Sequence, residues 1–126
     1  MLRLGSVVLN SKLVLAPLAG VSDLPFRLVS RRHGCELAYI EMTSTHALER
    51  QNPKTLEMVR TVPEDSPLGI QLLGNDEGSM LRALELVNQN PQYSLLDLNA
   101  ACPVKKVVRR GEGAAMMLEP GKLSTI

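Results

Sequence analysis

Aromatic residues are nearly missing from this sequence: Phe26, Tyr39 and Tyr93 are the only three, and there is no tryptophan. That is too few for a platform on which successive bases of a single strand could stack. Cysteine is as scarce. Cys35 and Cys102 stand far apart, without the paired spacing of a zinc site or the density of a disulfide scaffold, so a reducing, cytoplasmic location is the default expectation. Neither sign of charge dominates: 14 Lys+Arg against 13 Asp+Glu leave a formal net charge of +1, which argues against gripping nucleic acid by bulk electrostatics alone. No apolar run reaches the ~18 residues of a membrane span. The N-terminal run is interrupted by Asn10, Ser11 and Lys12, and it lacks the basic start and unbroken apolar stretch of a signal peptide. HExxH, CxxC, GxSxG and GxGxxG patterns are all absent, so no metal constellation, hydrolase elbow or dinucleotide fingerprint is expected.

What is present is ordinary globular composition, 44% hydrophobic and 21% charged over 126 residues, without repeats, low complexity or a separating linker. One domain over 1–126 is the expectation, burying roughly two-thirds of its unfolded surface. Leu13–Leu15, Cys35–Ile40, Leu68–Leu73 and Ser94–Leu98 read as short buried strands. Between the first two, Ser22 or Asp23 caps a helix with Pro25 in its first turn, Leu24, Leu28 and Val29 on one face, and Gly34 as its stop. Glu41–Pro53 has no clear pattern, and Lys54–Arg60 is weakly helical. Met80, Ala83, Leu84 and Val87, after an Asn75 or Asp76 cap, give the best amphipathic spacing in the chain. A long loop, a short helix over Ala114–Leu118 and a stop at Glu119-Pro120-Gly121 close the reading. Strands alternating with helices indicate an α/β protein with a parallel sheet; periodicity alone does not separate an open sheet from a barrel.

In either architecture, chemistry belongs after the C-terminal ends of the strands. Those ends bring Pro17 and Ala19, Glu41, Gln71, Asn99 and Cys102 to one rim. His33 and His46 are isolated, and solvated or locally bonded side chains are their simpler reading. Gly111-Glu112-Gly113 is the one glycine pair resembling a phosphate loop, which is weak on its own. A free cysteine is usually a small core residue. Cys102, however, ends a buried strand before Pro103, and the cations Lys105 and Lys106 that follow favour a thiolate. Gln71, between Ile70 and Leu72, is either an edge residue or one whose amide needs partners such as a flat heteroaromatic ligand. Asn99 and Asp97 pose the same alternatives, Asp97 also being placed to cap backbone. Lys105, Lys106, Arg109 and Arg110 put four positive charges in six residues, which makes either a solvated loop or a contact for a polyanion's phosphates.

At these residues the sequence resembles the tRNA-dihydrouridine synthases. The matching segments are LAPLAGVSDLPFR (15–27), Glu41-Met42, GIQLLG (69–74) and DLNAACPVKKVVRRGEGAAMMLEP (97–120). They run from about residue 13 to 121, and the last is the most specific. The resemblance implies a flavin enzyme of the TIM-barrel class, with this chain forming the N-terminal half of a (β/α)8 barrel. It implies that Pro17, Leu18 and Ala19 lie against the FMN ring, that Gln71 bonds that ring, that Asn99 lies near flavin and uracil, and that Cys102 is the catalytic acid. The reaction implied has two stages. NADPH reduces FMN, and hydride then passes from N5 to C6 of a uridine extruded from tRNA while Cys102 protonates C5. Lys105, Lys106, Arg109 and Arg110 would hold flanking phosphates, and no metal is implied.

The sequence departs from the family pattern in three ways. Leu18 stands where members usually have Met, and Ala101 where they have Gly before the cysteine. If that position needs positive φ, Ala would cost ~1 kcal/mol or more. A complete barrel also needs roughly 250 residues. The expectation is therefore a truncated or partial chain without the later barrel loops, the FMN phosphate site or a helical tRNA-binding domain, binding FMN poorly by itself. Two alternatives stand beside it: another FMN barrel such as a dihydroorotate dehydrogenase, and a non-catalytic half-barrel that assembles through its open edges. The KKVVRRGEGAAMM continuation favours the synthase over the dehydrogenase.

Overall fold

A computed structural model describes residues 1–126. A short antiparallel hairpin, β1 (Leu2–Leu4) and β2 (Val7–Leu9), comes first. There follow α1 (Leu24–Arg32), β3 (Ala38–Ser44), α2 (Thr45–Glu49), α3 (Pro53–Met58), β4 (Leu68–Leu73), α4 (Glu77–Asn88), β5 (Tyr93–Leu98) and α5 (Lys105–Val108). A 3-10 turn over Gly113–Leu118 leads into α6 (Pro120–Thr125).

The sheet is parallel, in the order β3-β4-β5. Consecutive strands are neighbours, each joined to the next by a helical crossover. The expected first strand, Leu13–Leu15, shrinks to a single parallel bridge between Leu15 and Ala38, with the Leu15 N–H donating to the Leu37 carbonyl at 2.9 Å. The second strand begins later than its apolar run, at Ala38 rather than Cys35, and continues through Ser44. A bulge between Ile40 and Thr43 carries it past its apolar half.

The two faces of the sheet are different. Leu68, Ile70 and Leu72 of β4, with Ala38 and Ile40 of β3, pack against Met80, Ala83 and Val87 of α4 and Leu48 of α2. This is the main core, and the spacing of the α4 residues is what aims them at it. On the opposite face register puts Tyr39, Gly69 and Leu95 side by side, then Gln71 beside Asp97. The Tyr39 ring fills the space a Cβ on Gly69 would need. At the N-terminal end of this face, Val7 and Leu9 of the hairpin close over Leu37, Tyr39 and Leu95. The polar residues of the face are left toward the C-terminal end.

Helix α1 is capped by Asp23, whose Oδ1 accepts the Phe26 N–H at 2.9 Å, and Gly34 follows it at φ +91°. Ser22 is not the cap; its Oγ instead accepts the Leu18 N–H at 2.8 Å. The expected apolar face is also wrong in part. Val29 is exposed, and the residue α1 buries completely is Arg27. Arg27 Nε donates to Asp65 at 2.8 Å and its Nη1 to the Ser22 carbonyl at 2.7 Å. Arg31 Nε reaches the other Asp65 oxygen at 2.7 Å, and the rest of its guanidinium donates to the carbonyls of Glu36 and Pro67. One carboxylate thus ties α1, the 16–22 loop, the start of β3 and the approach to β4. A buried charge is tolerated because every pairing group here is satisfied.

Near the C-terminus the structure differs again. The basic segment after Cys102 is a turn of helix, α5, rather than loop. Pro120 starts α6 instead of ending structure; a proline at the first helical position loses no hydrogen bond. No helix is long and apolar enough to cross a membrane.

Candidate active site at the strand ends

The C-terminal ends of the strands meet in one polar row. Nearest the bridge at Leu15 is the 17–20 loop. Its position is set by Glu41, whose Oε2 accepts the Gly20 N–H, and by Ser22, which accepts from Leu18 and whose own carbonyl is held by Arg27. Pro17 is half-buried, while Leu18 and Ala19 are exposed. Glu41 lies within the β3 bulge beside β4, so the loop is pinned next to the strand that carries Gln71.

Gln71 stands at the centre of the row. Its Nε2 donates to Asp97 Oδ2 at 2.6 Å, and its Oε1 accepts from Asn99 Nδ2 at 2.9 Å. Asn99 is buried, and its Oδ1 accepts the backbone N–H groups of Ala101 at 3.2 Å and Cys102 at 2.9 Å. Three of the residues singled out in the sequence, Gln71, Asn99 and Cys102, are therefore consecutive members of one hydrogen-bonded chain. Asp97 begins that chain. Alternation along β5 aims it at the same face as Gln71, but only the pairing register identifies Gln71 as its partner. Burial, and secondarily the Asp97 charge, raise the Tyr39 pKa above its ordinary value of 10.0, so the phenol stays neutral beside this row.

Cys102 is half-buried and not in a disulfide. The backbone around it is held on two sides. Asn99 takes its N–H, and its carbonyl accepts the Ala114 N–H at 3.0 Å. Gly113, at φ +60°, backs directly onto it. Gly113, the second of the glycine pair that resembled a phosphate loop, thus braces the cysteine, while Gly111 backs onto the Asn75 amide. Ala101 is not among the residues at positive φ, so an alanine before the cysteine carries no backbone strain here.

The basic segment is partly committed. Arg110 is ion-paired with the buried Glu112, through Nε at 2.9 Å and Nη2 at 2.6 Å. Its carbonyl accepts from Asn75 at the end of β4, at 2.7 Å. Lys105, Lys106 and Arg109 are exposed and make no ion pair. The largest cavity, about 770 Å³, lies elsewhere, between α1 and α3, and meets the row only through Glu41.

A family model described as dihydrouridine synthase (Dus) matches residues 14–126. The chain is 32% identical over 120 residues to a probable tRNA-dihydrouridine synthase of Treponema pallidum, covering 95% of this chain and 35% of the relative. It is 35% identical over 114 residues to a probable tRNA-dihydrouridine synthase of Helicobacter pylori, covering 90% and 35%. It is 32% identical over 125 residues to tRNA-dihydrouridine synthase B of Xanthomonas campestris, covering 99% and 37%. The chain spans little more than a third of the length of these relatives. By the extent of the family match and the relatives it shares, this chain belongs to the dihydrouridine synthase family.

Proposed function

We propose that this chain supplies the flavin- and uracil-facing part of an enzyme that reduces uridines of tRNA to 5,6-dihydrouridine with FMN and NADPH. Its sheet is the N-terminal half of a (β/α)8 barrel. The strand order supports this, since sequence neighbours are sheet neighbours and Glu41, Gln71 and Asn99 lie toward or just past the C-terminal ends of β3, β4 and β5. The substrate class follows from what the relatives are named for.

The donor set fits a flavin ring. Gln71 makes one hydrogen bond from its nitrogen and one to its oxygen, which leaves one N–H and one lone pair for adjacent ring atoms. Pro17, Leu18 and Ala19 give an apolar edge to the rim, with the Leu18 backbone held by Ser22. Bound FMN supplies the hydride that the protein's own side chains cannot. Asn99 orients the uracil-facing end of the row, and Cys102 delivers a proton to C5 of the base. A uridine must leave its stack to reach this rim. Lys105, Lys106 and Arg109 hold the flanking phosphates, with Arg110 assisting from its pair with Glu112.

The single observation that supports this reading is the hydrogen-bonded chain from Gln71 through Asn99 to the Cys102 backbone N–H, which joins the amide read as ring-binding to the loop that carries the cysteine. The test is dihydrouridine formation in unmodified tRNA with FMN and NADPH by a complete barrel enzyme carrying this chain, with dihydroorotate as the competing substrate. Turnover of dihydroorotate, or none of tRNA, contradicts it. A polypeptide of residues 1–126 presents open sheet edges at 13–15 and β5, with Leu13 and Leu96 exposed. We expect it to self-associate; a monomer by light scattering contradicts that part.

A further inference from the structure

We propose that Asp97 is a positioning residue, one that fixes the polarity of the whole Gln71–Asn99–Cys102 chain. An ionised carboxylate only accepts hydrogen bonds. The Gln71 atom 2.6 Å from Asp97 Oδ2 is therefore the amide nitrogen. Oε1 of Gln71 then faces Asn99 and requires the Nδ2 group there, found at 2.9 Å. That turns Asn99 Oδ1 toward the N–H groups of Ala101 and Cys102. The other end imposes the same order independently, because a backbone N–H meets only an acceptor. Two primary amides, each able to flip, are locked by an obligate acceptor at one end and obligate donors at the other.

The placement of Asp97 has no other evident use. It is an acid in the middle of β5, between Leu96 and Leu98, and no Lys, Arg or His pairs with it. An acid on a partly buried sheet face is costly unless its oxygens are bonded. Replacing it with an amide would keep the shape and remove the polarity, since Asn offers either an oxygen or an NH2 to Gln71. The Gln71 and Asn99 amides would then be held in order from the backbone end alone, and the Cys102 N–H would open more often.

The role toward a ring ligand rests on the flavin reading above; the hydrogen-bond chain does not. Three measurements separate them. In the ligand-free protein, NMR should show hydrogen-bond scalar couplings from Gln71 Nε2 to Asp97 Cγ and from Asn99 Nδ2 to Gln71 Cδ. In Asp97→Asn the Cys102 N–H should exchange with solvent about 5- to 10-fold faster, the scale of one lost hydrogen bond, while Ile70 and Leu72 on the core face keep their protection. In FMN titrations Asp97→Asn should weaken binding by a similar factor when Gln71 is present and by nothing in a Gln71→Leu background. A merely structural role would give additive losses and lower protection everywhere on β4. If couplings are missing where backbone couplings of β4 are resolved, or Cys102 exchange is unchanged in Asp97→Asn, the positioning role is overturned. If a complete barrel enzyme carrying these residues shows the couplings and binds no FMN, the flavin reading falls and the role of Asp97 in holding Cys102 stands. The couplings need no variant, so a misfolded Asp97→Asn leaves the question decided.

Discussion

Gly113 backs onto Cys102 with no room for a side chain: a Cβ there would stand 2.6 Å from the Cys102 carbonyl oxygen and 3.1 Å from its Cβ. The backbone at Gly113 is also left-handed, at φ +60°. The two constraints act on one methyl group. Gly113→Ala should destabilise the protein by at least ~1 kcal/mol and move the cysteine loop. Thiol labelling rates read this directly, because there are only two cysteines. Cys102 should change rate while Cys35 does not; equal rates for both before and after would remove Gly113 as a brace.

Gln71→Leu keeps a similar volume on β4 and removes both amide bonds that run to Asp97 and Asn99. FMN binding should weaken by ~1–3 kcal/mol, the scale of leaving a polar ring group without its partner. Thermal stability should fall by less. Fluorescence titration of FMN measures the first, and an unchanged affinity would take Gln71 out of the flavin site.

Asp65 is the sole carboxylate between Arg27 and Arg31, and all of Arg27 and Asp65 is buried. Asp65→Ala would leave two guanidiniums inside without their acid. Breaking a buried pair in this way costs about 3–5 kcal/mol, and the 16–22 loop should loosen with it because Arg27 also holds the Ser22 carbonyl. Denaturant unfolding measures the cost. A loss under ~1 kcal/mol would show that this junction does not hold α1 to the sheet.

The alkaline limb of stability follows from the two tyrosines. Burial raises both above the ordinary value of 10.0, and the Asp97 charge adds to the shift at Tyr39. An acid whose folded pKa is raised is held neutral by the fold. Its stabilising share is complete below ~10 and is lost as pH rises through the raised value. Phenolate absorbance should therefore appear late in the folded protein. Asp97→Asn should bring the Tyr39 step down partway, because burial remains, and leave Tyr93 where it is. Equal movement of both steps would contradict the proximity of Tyr39 and Asp97.

Much of this arrangement is legible in one dimension. The α4 pattern of Met80, Ala83, Leu84 and Val87 points one face at β4, and β4 itself is an apolar run bounded by Pro67 and Gly74. Gln71, Asn99 and Cys102 stand out because polar groups at the ends of buried strands need partners. Other features depend on residues far away in the chain. Arg27 looks like a surface position of α1 until Asp65, 38 residues on, supplies its acid. Leu13–Leu15 has the composition of a strand, yet forms one bridge, because pairing rather than composition defines a strand. The hairpin of β1 and β2 is two three-residue strands with Gly5 between them, too short to alternate visibly. Asp97 becomes a partner of Gln71 only through register.

The central claim is that Cys102 is the proton donor to the base and has no part in loading the flavin. Stopped-flow absorbance of the intact, FMN-loaded enzyme that carries this chain separates the two half-reactions. In Cys102→Ala, flavin reduction by NADPH should keep its rate, and reoxidation by unmodified tRNA should fall at least ~100-fold, the usual scale of a lost general acid. Equal loss of both half-reactions, or unaltered reoxidation by tRNA, would contradict the assignment.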